Sequence, residues 1–119
     1  MYAAMARHDG RHLAALLTDQ SRWVICGHGP LAGTYTGANE IFGLWKLIAD
    51  QTGGGLKLDV SDVLANDERA VVLVTAHGQR GNRSLEDRQV AVFELHDGVV
   101  TEARFVYEDP DLNDDFWRD

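Results

Sequence analysis

One cysteine in 119 residues excludes an internal disulfide and a cysteine-rich zinc site. That residue, Cys26, lies in an apolar stretch, where an inert buried thiol is the default. Basic residues are also scarce: 11 Lys and Arg against 19 Asp and Glu leave a net charge of −8. They form no stripe that could neutralise phosphates, which argues against nucleic acid and against an anionic membrane surface. No apolar run approaches a membrane span. The amino terminus, Met-Tyr-Ala-Ala-Met-Ala, lacks the long apolar segment of a signal peptide, so a cytoplasmic protein is expected. His8 and His12 stand four apart, but Asp9-Gly10 breaks the helix between them and no zincin glutamate follows. A glycine-rich phosphate loop and a Ser/His/Asp elbow are missing too. The expectation is a protein without metal or cofactor.

What is present suits one soluble domain: 45% hydrophobic residues, in a chain long enough to bury a core. The acidity is largely local. Glu108, Asp109, Asp111, Asp114, Asp115 and Asp119 fall in the last twelve residues, against Arg118 alone.

Residues 2–7 read as a helix interrupted by His8-Asp9-Gly10. Residues 11–17 resume it, with Leu13, Leu16 and Leu17 on one face. A strand is expected over 23–26, after turn chemistry at 18–21. The clearest helix covers 38–51: Ile41, Leu44, Trp45 and Ile48 share a face that Phe42 and Leu47 broaden. Thr36 is its expected N-cap and Gly53-Gly54-Gly55 its end. Four strands follow, over 56–65, 70–80, 85–96 and 99–109, with hairpin signals at Gly81-Asn82 and Asp97-Gly98. Pro110 stops the pairing. Helices followed by a strand meander mean α+β, with helices against one face of a mostly antiparallel sheet.

Alternation in the last strand places Val99, Thr101, Ala103, Phe105, Tyr107 and Asp109 on one face. Residues 70–80 are apolar on both faces, Val71, Leu73 and Thr75 against Ala70, Val72, Val74 and Ala76. A strand buried on both sides needs two covers. Helices supply one, and a second subunit is the expected other.

Function is sought first in residues 23–37, where a strand runs into a loop broken by Gly27, Gly29, Pro30 and Gly33. Such a loop, presenting Trp23, His28 and Tyr35, suits a pocket wall; it serves equally as a plain strand-to-helix connection.

This layout resembles the NTF2-like superfamily, and within it the SnoaL-like group. The resemblance rests on Trp23, on Leu31-Ala32-Gly33 and Tyr35-Thr36-Gly37, and on the helix carrying Trp45. Asp62-Val63-Leu64-Ala65, Asp97-Gly98, and Asp109 followed by Asp115-Phe116-Trp117 complete it. It implies a curved sheet wrapped around helices into a cone, an apolar pocket, and dimers through the outer face of the sheet. It also implies a choice among cyclases, isomerases, dehydratases and non-catalytic binding modules. His28 falls where ketosteroid isomerases keep a general-base aspartate, and Asp109 matches the acid/base aspartate of SnoaL-type cyclases. The strand 90–93 supplies no acid for an isomerase oxyanion hole. Val24 stands where many SnoaL-like sequences carry a histidine.

The expected catalytic pair is therefore Asp109 and His28, opening into one cavity with Trp23, Tyr35, Trp45, His77, Phe105, Tyr107 and Trp117 as substrate-binding residues. Each has a plain alternative. Asp109 caps the following Pro-Asp-Leu turn, His28 is an exposed loop residue, His77 a core or interface residue, and the aromatics ordinary core. Asp62, grouped by alternation with Leu58, Val60 and Leu64, is expected to make a buried hydrogen bond. The expected ligand is a small apolar molecule. The chemistry is cofactor-free acid/base catalysis such as cyclisation, isomerisation or dehydration, or else simple binding by an accessory module.

Overall fold

Six strands and two helices organise the computed structural model, which describes residues 15–54 and 56–118. The helices expected over 2–7 and 11–17, with His8 and His12, lie outside these residues, apart from 15–17, where Ala15 and Leu16 turn. In chain order the elements are β1 (Arg22–Ile25), β2 (Gly33–Thr36), α1 (Ala38–Thr52), β3 (Lys57–Ala65), β4 (Arg69–Arg80), β5 (Arg83–His96), β6 (Val99–Tyr107) and α2 (Pro110–Trp117). The strands form one curved sheet in the order β2-β1-β6-β5-β4-β3. All pairs are antiparallel except β1 and β6, which run parallel. The class is α+β. No helix among the described residues is long and apolar enough to cross a membrane.

Local chemistry accounts for most of these elements. Asp97 and Gly98 both take positive φ, 50° and 81°, as a two-residue hairpin turn between right-twisted strands requires. Ile41 and Leu44 of α1 are buried and Trp45 and Ile48 half-buried. Phe42 and Leu47, expected to widen that stripe, are instead 38% and 41% exposed. Thr36 is not the N-cap of α1. It ends β2, Gly37 takes the cap position, and Glu40 Oε1 accepts the Thr36 N–H at 3.0 Å.

The inner face of the sheet carries the core. Ala70, Val72, Val74 and Ala76 of β4 face inward with Ala91 and Phe93 of β5, Ala103 and Phe105 of β6 and Trp23 of β1. Trp23 meets Phe105, Trp45 and Phe93 at ring-centroid distances of 5.1, 5.4 and 5.9 Å. Phe93 is fully buried; cutting it to Ala would cost about 3–5 kcal/mol, a large share of a small domain's stability.

Two bulges overturn strict alternation. On β3, Val60 pairs with Val74 but Asp62 with Leu73, so the extra residue Ser61 reverses the faces. Leu58 and Val60 point inward, whereas Asp62 and Leu64 share the outer face with Leu73 and Val71. Asp62 is therefore exposed, and its Oδ1 accepts the neighbouring Val63 N–H rather than a buried partner. On β6, Glu102 pairs with Glu94 and Val100 with Leu95, which makes Thr101 the extra residue. Val100, not Thr101, is buried beside Ala103 and Phe105.

The sequence reading also missed two elements. Residues 33–36 are a strand, not loop, and residues 110–117 a helix. Strand β6 ends at Tyr107, two residues before the expected Asp109.

Candidate active site

Inward positions of β5 continue past Phe93 and Ala91 to Gln89, Asp87 and Leu85. Asp87 is thus carried to the inner face by the same alternation that buries Phe93, and only 3% of it is exposed. Its Oδ2 accepts the Asn113 side-chain N–H at 3.2 Å. The side chain of Gln89 and the backbone N–H of Asp109 also donate to it. Burial pushes the Asp87 carboxyl above the ordinary aspartate range, and the nearby Asp109 charge adds to that, while the three donors oppose it.

Tyr107 pairs with Gln89 across β5 and β6, so its ring enters the same end of the inner face. Burial first, then the negative charges of Asp87 and Asp114, push its phenol well above the usual value. It stays a neutral O–H donor. Tyr35, opposite Trp23 on β2, donates its hydroxyl to the Leu31 carbonyl at 2.8 Å, and burial raises its phenol as well.

Helix α2 closes this end. Asp109 is its N-cap: the carboxylate accepts the Leu112 N–H at 3.1 Å, and Pro110 occupies the first turn, where its missing N–H costs nothing. At the other end Arg80 donates to the carbonyls of Phe116 and Arg118, and Arg83 to those of Asp115 and Arg118. Asp114, 4% exposed, accepts the backbone N–H of His28 at 2.9 Å. A Cβ on Gly27 would lie 2.7 Å from Asp114 Oδ1, and one on Gly29 2.8 Å from Asp114 Cα. The Gly-His-Gly sequence is there so that a helix can sit flush against the loop.

The expected site residues are thereby divided. His28 and Asp109 are both exposed, and the Asp109 carboxylate is taken up by the cap; they do not form a buried pair. Strand β6 ends at Tyr107, Glu108 still donates its N–H to the Arg88 carbonyl, and Asp109 then turns into the cap of α2. Trp23, Trp45 and Phe105 belong to the aromatic core. Trp117 is buried beside Phe116 in α2, ring centroids 4.8 Å apart. Tyr35 and Tyr107 alone of the set reach the polar end. His77 lies on the outer face, its Nε2 3.0 Å from Asp59 Oδ2, because its neighbour Ala76 takes the inward position. An open depression of about 450 Å³ at the β4–β5 hairpin is lined by His77, Ser84, Leu85 and Glu86 but not by Asp87. No group of three or more His, Cys, Asp or Glu among the described residues could hold a metal.

This arrangement, a six-stranded sheet bent around an aromatic core with a polar cluster at one end, has known counterparts. The profile of the SnoaL-like domain matches residues 1–103. The chain belongs to the SnoaL-like family. A protein from a soil-derived mobile gene cassette superposes on it with a TM-score of 0.91 at 30% identity, covering 98% of this chain and 90% of that one. An NTF2-like protein from Burkholderia xenovorans gives 0.77 at 27% identity, covering 98% and 89%. An uncharacterised protein of Mycobacterium tuberculosis is 25% identical over 117 residues, 98% of this chain and 89% of its own length.

Asp87 and Asn113 were absent from the expected site. Glu86, Asp87 and Arg88 are three charged residues in a row, but Leu85, Ala91 and Phe93 share odd numbers with Asp87. In a period-two strand that parity sends Asp87 inside.

Proposed function

We propose that this SnoaL-like chain binds a small, largely apolar molecule and acts on it by cofactor-free acid/base chemistry, with Asp87 as the proton-handling group. The observation that carries this is a buried carboxyl, raised above its ordinary range, on the inner face beside a neutral phenol. A buried carboxyl that holds its proton more tightly than usual can give it to, or take one from, carbon or oxygen. Tyr107 supplies a hydrogen bond to a developing oxyanion. Tyr35 and Trp45, only partly buried at the margin of the core, are the aromatic groups left to meet an apolar ligand body. Fold relatives at 16% and 21% identity carry the names SnoaL-like polyketide cyclase and isomerase, which accords with proton transfer at a carbon acid. His28 and Asp109 are rim residues in this proposal.

The homodimer belongs to the same proposal. Leu64, Val71, Leu73, Val90, Val92 and Val106 share the outer face of β3 to β6. Leu64, Leu73 and Val106 are 59%, 36% and 45% exposed in the single chain. An apolar patch of this kind, rimmed by the pairs Arg69–Glu94 and Arg88–Glu108, suits a second copy.

A non-catalytic binding module is the second reading. It is favoured by the full set of partners around Asp87, since Asn113, Gln89 and the Asp109 backbone would also suit a carboxyl that only anchors α2. Deuterium uptake separates the two. A panel of apolar cyclic and aryl ketones in D₂O is followed by NMR for exchange at the carbon next to the carbonyl. Catalysis predicts exchange that Asp87→Asn lowers by about 10²–10⁴-fold and Asp109→Asn spares. Ketones that bind but exchange no faster than in buffer would establish the binding module instead.

A further inference from the structure

Helix α2 buries the wrong residues for a helix held by apolar contact. Leu112 is 42% exposed, while Asn113 and Asp114 are 3% and 4% exposed. Burying two consecutive polar side chains is costly unless each finds a partner. Each does: Asn113 meets Asp87, and Asp114 meets the His28 N–H. Phe116 and Trp117, one turn on, supply the apolar part of the same buried face. The docking is therefore aimed, since two polar contacts on adjacent residues fix both the rotation of the helix and its distance from β5.

We infer that Asn113 is a positioning residue: α2 carries it in to hold the Asp87 carboxyl by Oδ2, so that the site is incomplete without the last helix. This rests on the role proposed above for Asp87. The amide N–H occupies Oδ2 as an acceptor, which disfavours a proton on that oxygen. It also stabilises the ionised form and so moderates the effect of burial. The other groups around Asp87 are Gln89 on β5, Tyr107 on β6, and the backbone and charge of Asp109 at the head of α2. Asn113 alone among them donates from the body of the helix.

The test reads Asp87 directly, with no ligand present. The side-chain carboxyl carbon of Asp87 is titrated by NMR in the wild type and in Asn113→Ala, and the indole signal of Trp117 reports whether α2 remains docked. With α2 docked and the donor gone, the Asp87 midpoint should rise, by about one to two pH units for a lost bond to a charged group. Asn113→Gln, which returns a donor, should recover part of the shift and serves as the second variant should Asn113→Ala fold poorly. A midpoint that stays put, or falls toward the ordinary aspartate value because α2 has merely come loose, overturns the inference. An upward shift in a protein that exchanges no ketone would leave Asn113 as the positioning residue and remove acid/base catalysis alone.

Discussion

Replacing Gly27 by alanine tests the contact between loop and helix more severely than any other single change. Two costs combine. The backbone at Gly27 has φ 105°, where an L side chain is strained by about 1–3 kcal/mol. The new Cβ would also sit 2.7 Å from Asp114 Oδ1 and 3.3 Å from Oδ2, so the carboxylate must move. Moving it breaks the bond from the His28 N–H, worth about 1.5–3 kcal/mol for a charged acceptor. The total is about 2.5–6 kcal/mol. For 119 residues, an unfolding entropy of roughly 250 cal/mol/K makes each kcal/mol about 4 °C, so Tm should fall by roughly 10–24 °C. Gly33→Ala is the control, since φ is 140° there but nothing lies within 4 Å of the added Cβ. It should cost the strain alone. Calorimetry on Gly27→Ala, Asp114→Ala and the double variant then isolates the contact. In the double variant the lost bond is counted once, so its destabilisation should fall short of the sum by about 1.5–3 kcal/mol. Strict additivity, or a Gly27→Ala variant no weaker than Gly33→Ala, would refute the flush seating of α2.

Asp87 also gives the fold a pH dependence. Its folded carboxyl holds a proton more tightly than the unfolded one, so its stabilisation is fully present below about pH 3.9 and is lost as pH rises through the folded value. Denaturant titrations of the wild type and Asp87→Asn from pH 4 to 8 should therefore show the difference moving in favour of the variant as pH rises, and a flat difference would contradict a raised carboxyl. The outer-face dimer predicts sedimentation at twice 13.2 kDa at micromolar concentration, reduced to the single chain by Leu73→Glu in the centre of the patch. A wild type that stays monomeric at high concentration would dispose of it.

Much of the fold was legible because its signals are local. The i, i+3, i+4, i+7 spacing of Ile41, Leu44, Trp45 and Ile48 needs no tertiary information, nor does Asp97-Gly98. The SnoaL-like resemblance likewise rested on the order of short segments along the chain. Bulges were not legible. Ser61 and Thr101 are unremarkable residues in β-rich stretches, and the register slip each one introduces is fixed by the partner strand. Every face assignment beyond a bulge was consequently reversed, which is why Asp62 was expected inside and Val100 outside.

The site was less legible for a different reason. Helix α2 has eight residues, too few to show a clear period, and six of the last twelve side chains are acidic, so no helix was expected after Pro110. Yet Asp109-Pro110 is a strong helix start, a capping carboxylate followed by a proline in the first turn. Taking that signal seriously would have removed Asp109 from the catalytic list, because a carboxylate that caps a helix is already occupied. It would also have placed Asn113 and Asp114 one turn into a helix. A helix beginning three residues after an inward-facing Tyr107 can reach little except the end of the sheet that Tyr107 has just left. The acids nearest that end on β5 are Glu86 and Asp87, and parity with Phe93 chooses Asp87. The polar cluster was thus encoded in three short-range rules whose consequences meet only when the strand ends at the correct residue.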